Sequence, residues 1–216
     1  MIRVFFLLYL ILSSCSNHQA KPELEAASGD SVISKIMDSL AAPISGNGEF
    51  KGETGFLSQN FDDTVLINQI ELSVKTIENY KFKDSIELEN EEFLENMTDG
   101  GGSLTGYFKH GDLVKIKEWV GLSYGVVQHS FYFSEGQLSY VLETENDFYI
   151  DDSFQKDYTR FGQHFRGDYY FANNKLAGMV TLGHNRFEDD ANDPEKEFLK
   201  TAAEYQKLIL KRRTRK

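Results

Sequence analysis

Tyr132-Phe133-Ser134-Glu135-Gly136-Gln137-Leu138-Ser139-Tyr140-Val141 is the stretch on which the fold of this chain turns. An aromatic pair that suits a pleated surface leads into Glu135-Gly136, where glycine is free to take φ > 0, and a second apolar run leads out. That is the order a β-hairpin needs. The same form, Y-F-x-x-[GN]-x-L-x-x-[IVM], occurs upstream from Tyr107 to Ile116 and downstream from Tyr170 to Met179, with turns at His110-Gly111 and Asn173-Asn174. Three such hairpins predict an antiparallel sheet, with Phe108 opposite Leu113, Phe133 opposite Leu138 and Phe171 opposite Leu176 on one face.

Counting by twos from these pairs sorts the strands. In the second hairpin Val127, His129, Phe131, Phe133, Leu138, Tyr140 and Leu142 fall inward, against Gln128, Ser130, Tyr132, Ser139 and Glu143. In the third, Phe165, Tyr169, Phe171, Leu176, Val180 and Leu182 fall inward, and His164, Arg166, Asp168 and Thr181 outward. The first hairpin breaks the count, because Val114, Ile116 and Val120 lie opposite to Phe108 and Leu113. A bulge or a second covered face is required there.

Two helices flank the hairpins. From Asp62 or Asp63, either of which can cap, Leu66, Ile70, Val74 and Ile77 recur at amphipathic spacing up to about Tyr80. Asp193-Pro194-Glu195 reads as a helix start, with a capping Asp and Pro at the first helical position. Phe198, Ala202, Tyr205 and Ile209 form its stripe, and its basic end from Lys207 to Lys216 complements the helix dipole. A shorter helix is expected over Asp30 to Leu40. Lys81 to Met97 fits either a strand through Phe82, Ile86 and Leu88 or a charged helix or loop. The fold class expected is α+β: a twisted antiparallel sheet of hairpins, with an N-terminal and a C-terminal helix on the Phe133 face.

The start of the chain carries a different signal. Residues 1–14 read as a signal peptide, with Arg3 leading an apolar run from Val4 to Leu12 that is too short to span a bilayer. Residues 15–30 read as a tether, and 31–216 as a single domain. Cys15 is the only cysteine, so it has no internal disulfide to make. Formal net charge is −11, and loss of Arg3 with the leader makes it more negative, which argues against nucleic acid as a partner.

No arrangement of chemistry-bearing residues stands out. The five histidines form no H-x-x-x-H or H-E-x-x-H pair for a metal, and no G-x-S-x-G is present. Gly100-Gly101-Gly102-Ser103 lacks the Lys-Ser/Thr of a phosphate loop. The acidic runs at Asp147 to Asp152 and Glu188 to Asp193 lack the Gly and Glu of an EF-hand, leaving only a loose calcium site as an alternative to solvated loops. His129 is expected to be a hydrogen-bonded core residue. The chain therefore reads as a non-catalytic binding or interaction module without a cofactor, and Tyr107, Tyr132 and Tyr170 form the expected exposed binding surface. The alternatives are a small apolar ligand held between sheet and helices, or an enzyme built on His164 and Asp168.

Leu12-Ser13-Ser14-Cys15 resembles the lipobox of bacterial lipoproteins. The resemblance implies cleavage before Cys15, lipidation of Cys15 and membrane anchoring, with Ser16 favouring the outer membrane of the cell envelope. From about Asp62 onward the chain resembles uncharacterised lipoproteins of Bacteroidota, on Gly101-Gly102, the pairs Tyr107-Phe108, Tyr132-Phe133 and Tyr170-Phe171, and the segment Asp193 to Lys211. The aromatic pair with a turn Gly is also similar to the hairpins of MORN-like proteins. Neither resemblance implies an activity or a site residue other than Cys15.

Overall fold

The structure is a computed structural model in which the described residues are 57–58, 63–151, 153–183, 187 and 192–215. Cys15, the leader, the tether and the Asp30 to Leu40 helix lie outside them. Strand β1 (Leu57–Ser58) precedes helix α1 (Thr64–Glu78), followed by β2 (Asp84–Glu89), β3 (Gly102–Lys109), β4 (Asp112–Gly121), β5 (Gly125–Ser134), β6 (Gln137–Ile150), β7 (Lys156–Ala172), β8 (Lys175–Gly183) and helix α2 (Pro194–Arg213). All strands join one antiparallel sheet in the order β1-β8-β7-β6-β5-β4-β3-β2. This is the α+β class that the hairpin pattern predicts. From β2 to β8 the sheet is a plain meander, and β1 joins its far edge.

The turns form where the pattern puts them. His110 and Gly111, Glu135 and Gly136, and Asn173 and Asn174 all have positive φ, the geometry of a two-residue type I′ hairpin. Each hairpin also carries a bulge inside its aromatic pair, between Tyr107 and Phe108, Tyr132 and Phe133, and Tyr170 and Phe171. Phe133 therefore faces Leu138 while Tyr132 faces Tyr140, which leaves Ser139 as the extra residue, so positions beyond it on β6 change face relative to a count by twos while Phe131 on β5 keeps the face of Phe133. Tyr140, Leu142 and Val180 pack on the Tyr face, contrary to the uninterrupted parity, while Val141 and Met179 pack with Phe133.

This alternation gives the sheet two apolar faces, and each takes one helix. Asp63 caps α1 through Leu66 N–H at 2.9 Å. Because β1 and β2 lie on opposite edges, α1 must cross the whole sheet, and it does so over the Tyr face. Ile67, Ile70 and Ile77 pack there against Tyr132, Tyr140, Tyr170 and Val180. Asp193 caps α2 at the N–H of Glu195, and α2 crosses the other face, where Phe198, Ala202 and Ile209 meet Phe131, Phe133, Tyr169 and Phe171. The expectation that both helices share the Phe133 face is thus corrected. A sheet with aromatic rings on both sides cannot leave one side wet.

Between Lys81 and Met97 the strand alternative is realised at β2, with Ile86 and Leu88 buried, followed by a 3₁₀ turn over Asn90–Glu92. At the basic end of α2, Arg213 bonds Asp84 at 2.8 Å and the carbonyl of Gly111 at 2.7 Å, and its guanidinium lies 3.9 Å from the centre of the Phe108 ring. That residue works inside the fold, tying the helix end to β2 and the first turn.

Gly106 on β3 sets how closely α2 can approach. A Cβ at that position would lie 2.4 Å from Cγ2 of Ile209, which is fully buried. Gly106→Ala is expected to cost about 1–3 kcal/mol through overpacking, read as a lower midpoint in urea denaturation. An unchanged midpoint would mean that α2 does not seat on Gly106.

Candidate functional site

The sheet register assembles a row of three ionisable groups that sequence spacing does not suggest. Glu118 on β4 pairs with His129 on β5, and His129 pairs with Glu143 on β6. Antiparallel pairing keeps all three side chains on one face, the α2 face. His129 Nδ1 lies 2.6 Å from Glu118 Oε2, and its Nε2 lies 3.1 Å from Glu143 Oε1. Each carboxylate also accepts a tyrosine hydroxyl: Tyr205 of α2 donates to Glu118 at 2.5 Å, and Tyr169 of β7 donates to Glu143 at 3.1 Å. Gly167 stands opposite Glu143, and a Cβ there would strike the Tyr169 ring at 2.5 Å. The missing side chain is what lets that ring reach across its neighbour.

Burial works against a charge on His129, but the hydrogen bonds and charges of Glu118 and Glu143 outweigh it and push the imidazole up to about 9. At neutral pH the group is an imidazolium clamped between two acids. Both ring N–H groups are then donors and no lone pair is left to accept a proton. The Tyr205 hydroxyl is pushed above its ordinary range, first by burial and then by Glu118.

A pocket of about 320 Å3 opens over this row, between β4, β5 and β6 below and α2 above. Its floor is Glu118, His129, Glu143 and Glu145, with Val127 and Phe131. Glu197, Phe198, Thr201 and Tyr205 come from α2. Phe131 and Phe198 stand edge to face at 6.3 Å, and Phe131 and Tyr205 at 5.7 Å. Among the described lining residues, four carboxyl groups and one imidazolium stand beside three aromatic rings. Among the described residues no Lys or Arg lines the pocket. Among the described residues no group of three His, Cys, Asp or Glu side chains is arranged to hold a metal ion.

The tyrosines expected to form an exposed surface do not. Tyr132 is 3% exposed and Tyr170 is 2% exposed, because α1 covers their face. Tyr132 donates to Glu78 of α1 at 2.5 Å and Tyr170 to Glu71 at 3.1 Å, so both hydroxyls hold the helix in place. Tyr107 is half-buried against Phe82, ring centres 5.1 Å apart. His164, Arg166 and Asp168 do not form one cluster either. Asp168 is buried, accepts from Tyr140, and takes Arg166 Nε at 3.0 Å and Nη2 at 3.1 Å. His164 instead meets Glu145 at 2.9 Å. Arg166 is held fully charged: burial opposes this, and Asp168 outweighs it.

Of the row, sequence reasoning placed His129 inward as a hydrogen-bonded core residue but put Glu143 on the outer face. The bulge at Tyr132/Phe133 moved it inward. A signal for this exists in the pattern itself. Leu113 and Ile116, Leu138 and Val141, and Leu176 and Met179 are three residues apart and share a face, an odd spacing that a regular strand cannot give. Fold and site together define an α+β protein with a helix on each sheet face and an acid-lined pocket under the second. No protein-family model, no curated protein and no solved structure matches this chain.

Proposed function

We propose that this protein is a non-catalytic binding module of the bacterial cell envelope, anchored by lipid on Cys15 and sorted to the outer membrane. Its ligand site is the pocket between β4–β6 and α2, and the ligand is a small molecule with a positive charge on an apolar body. The observation that carries the reading is the lining of that pocket, where Glu118, Glu143, Glu145 and Glu197 meet Phe131, Phe198 and Tyr205. Carboxylates and ring faces both attract a cation, and more strongly where water is displaced. The volume suits a small ligand. The ligand is thus amphipathic, in place of the purely apolar one anticipated for a Phe- and Leu-lined cavity. A binding role fits better than catalysis because both ring nitrogens of His129 are engaged by acids, so the group cannot serve as a general base at neutral pH.

The test is calorimetric titration with an arylalkylamine, its neutral alcohol isostere and the matching carboxylate. The amine is expected to bind at least ~10-fold more tightly than the alcohol, a gap of about 1.4 kcal/mol, and Glu197→Gln should narrow the gap. Equal affinity for amine and alcohol, or no binding of the amine, overturns the assignment.

A further inference from the structure

The longest strands carry a feature that neither the core nor the pocket uses. β5 pairs with β6 only as far as Asp147, and β8 pairs with β7 only as far as Phe165. Beyond those points β6 and β7 pair with each other, through Phe148 and Phe161, Tyr149 and Asp157, and Ile150 and Lys156. The result is a two-stranded ribbon that projects past the end of the sheet. Five of the nine large apolar side chains exposed among the described residues belong to it or to the adjoining loop, namely Tyr124, Ile150, Phe154, Tyr158 and Phe161. A soluble surface normally scatters such groups, so their concentration at one end marks a contact site.

The ribbon is built to present them. Phe148 holds Tyr158 at 4.9 Å and Phe161 at 5.1 Å between ring centres. At the tip, Asp151 Oδ1 accepts the N–H of Ser153 at 2.8 Å and of Gln155 at 2.9 Å, and its carbonyl accepts that of Phe154 at 3.0 Å. This fixes Phe154 at φ 58 with 89% of its surface exposed. A left-handed backbone is unfavourable for a bulky residue and easy for glycine, so an aromatic ring is displayed there at a cost to the fold.

Chain direction supplies the occupant. Leu57 pairs with Thr181 and Ser58 with Val180, so the polypeptide reaches the sheet from the Gly183 end, the end from which the ribbon projects. Cys15 precedes β1 in the sequence. The ~40 residues between Cys15 and Leu57 span up to ~140 Å when fully extended, too long a reach to hold the domain against a membrane.

We infer that the β6–β7 ribbon is a membrane-contact element, which sets Phe154, Ile150 and Tyr158 into the headgroup boundary of the bilayer that holds Cys15. The inference rests on the lipid-anchor reading of Cys15. Aromatic side chains favour that boundary, and one lipid signal is secured by a second. Asp147, Asp151 and Asp157 outnumber Lys156 and Arg160 along the ribbon, so the contact is with zwitterionic lipid and gains nothing from anionic headgroups.

The test uses the full-length lipidated protein in phosphatidylcholine vesicles carrying bromine-labelled acyl chains, with Trp placed by Phe154→Trp or by Glu135→Trp. Glu135 sits in a hairpin turn at the opposite end of β6, and Trp119 gives the same background in both. Bromine quenching at least twofold stronger for Phe154→Trp is expected, and Ile150→Ser with Tyr158→Ser should remove the difference while the protein still floats with the vesicles. Equal quenching at the two positions, or Phe154→Trp changes caused by a second copy and independent of bromine, overturns the inference. Absence of lipid on Cys15 by mass measurement sinks the anchor reading alone, since unlipidated Phe154→Trp protein with excess vesicles still reports the ribbon.

Discussion

Replacing His129 by Leu is expected to lower the stability of the folded chain by about 3–5 kcal/mol at pH 7. The imidazolium is the only cation in the Glu118–His129–Glu143 row, and Glu143 is 0% exposed. Its loss removes the cation that both acids bond, and taking one partner out of a buried ion pair costs far more than the intact network contributes. Adding Glu143→Leu should recover part of the loss by removing one of the two acids. The wild type carries its own signature. In the folded state the group titrates near 9 and in the unfolded chain near its ordinary value of 6.5, so the folded state binds more protons between those limits. Stability from this group is complete below pH 6.5, falls as pH rises, and is gone above pH 9. The interval corresponds to ~3 kcal/mol at 1.36 kcal/mol per tenfold step. Urea denaturation at pH 6, 7.5 and 9 reads it directly. A flat profile, or the same slope in His129→Leu, would show that the row is not a charged clamp.

Phe171→Ala is the second large effect, at about 3–5 kcal/mol. Phe171 is fully buried on the α2 face, directly across from Leu176, and meets the Phe198 ring edge-on at 6.5 Å. Truncation opens a cavity where β7, β8 and α2 converge, and the hydrogen-bonded strands around it cannot collapse to fill it. Tyr107→Ala, at a half-buried ring in the equivalent hairpin position before Phe108, should cost clearly less. The comparison is made by equilibrium denaturation of both variants. A loss under 1 kcal/mol for Phe171→Ala would mean that the ring is not packed between the sheet and α2.

These two residues mark what sequence and tertiary structure each contributed. The three turns, the antiparallel class and the helix starts, at Asp62 or Asp63 and at Asp193, were legible, because φ > 0 at Gly or Asn, aromatic pairs and capping carboxylates act over a few neighbouring residues. Phe171, next to its turn, could be placed inward for that reason. Glu143, five residues beyond Leu138, could not, because one bulge reverses every later position on the strand. That bulge is written locally as an odd apolar spacing, but its consequence depends on which face a helix covers. α1 covers the Tyr face because β1 and β2 fall on opposite edges of the sheet, an outcome of strand order that no local pattern contains. Covering that face buried Tyr132 and Tyr170, and the bulge brought Glu143 beside His129. The pocket likewise belongs to tertiary structure: Glu118, His129, Glu143 and Glu197 come from three strands and a helix, and only strand register and the seating of α2 on Gly106 bring them within reach of one another.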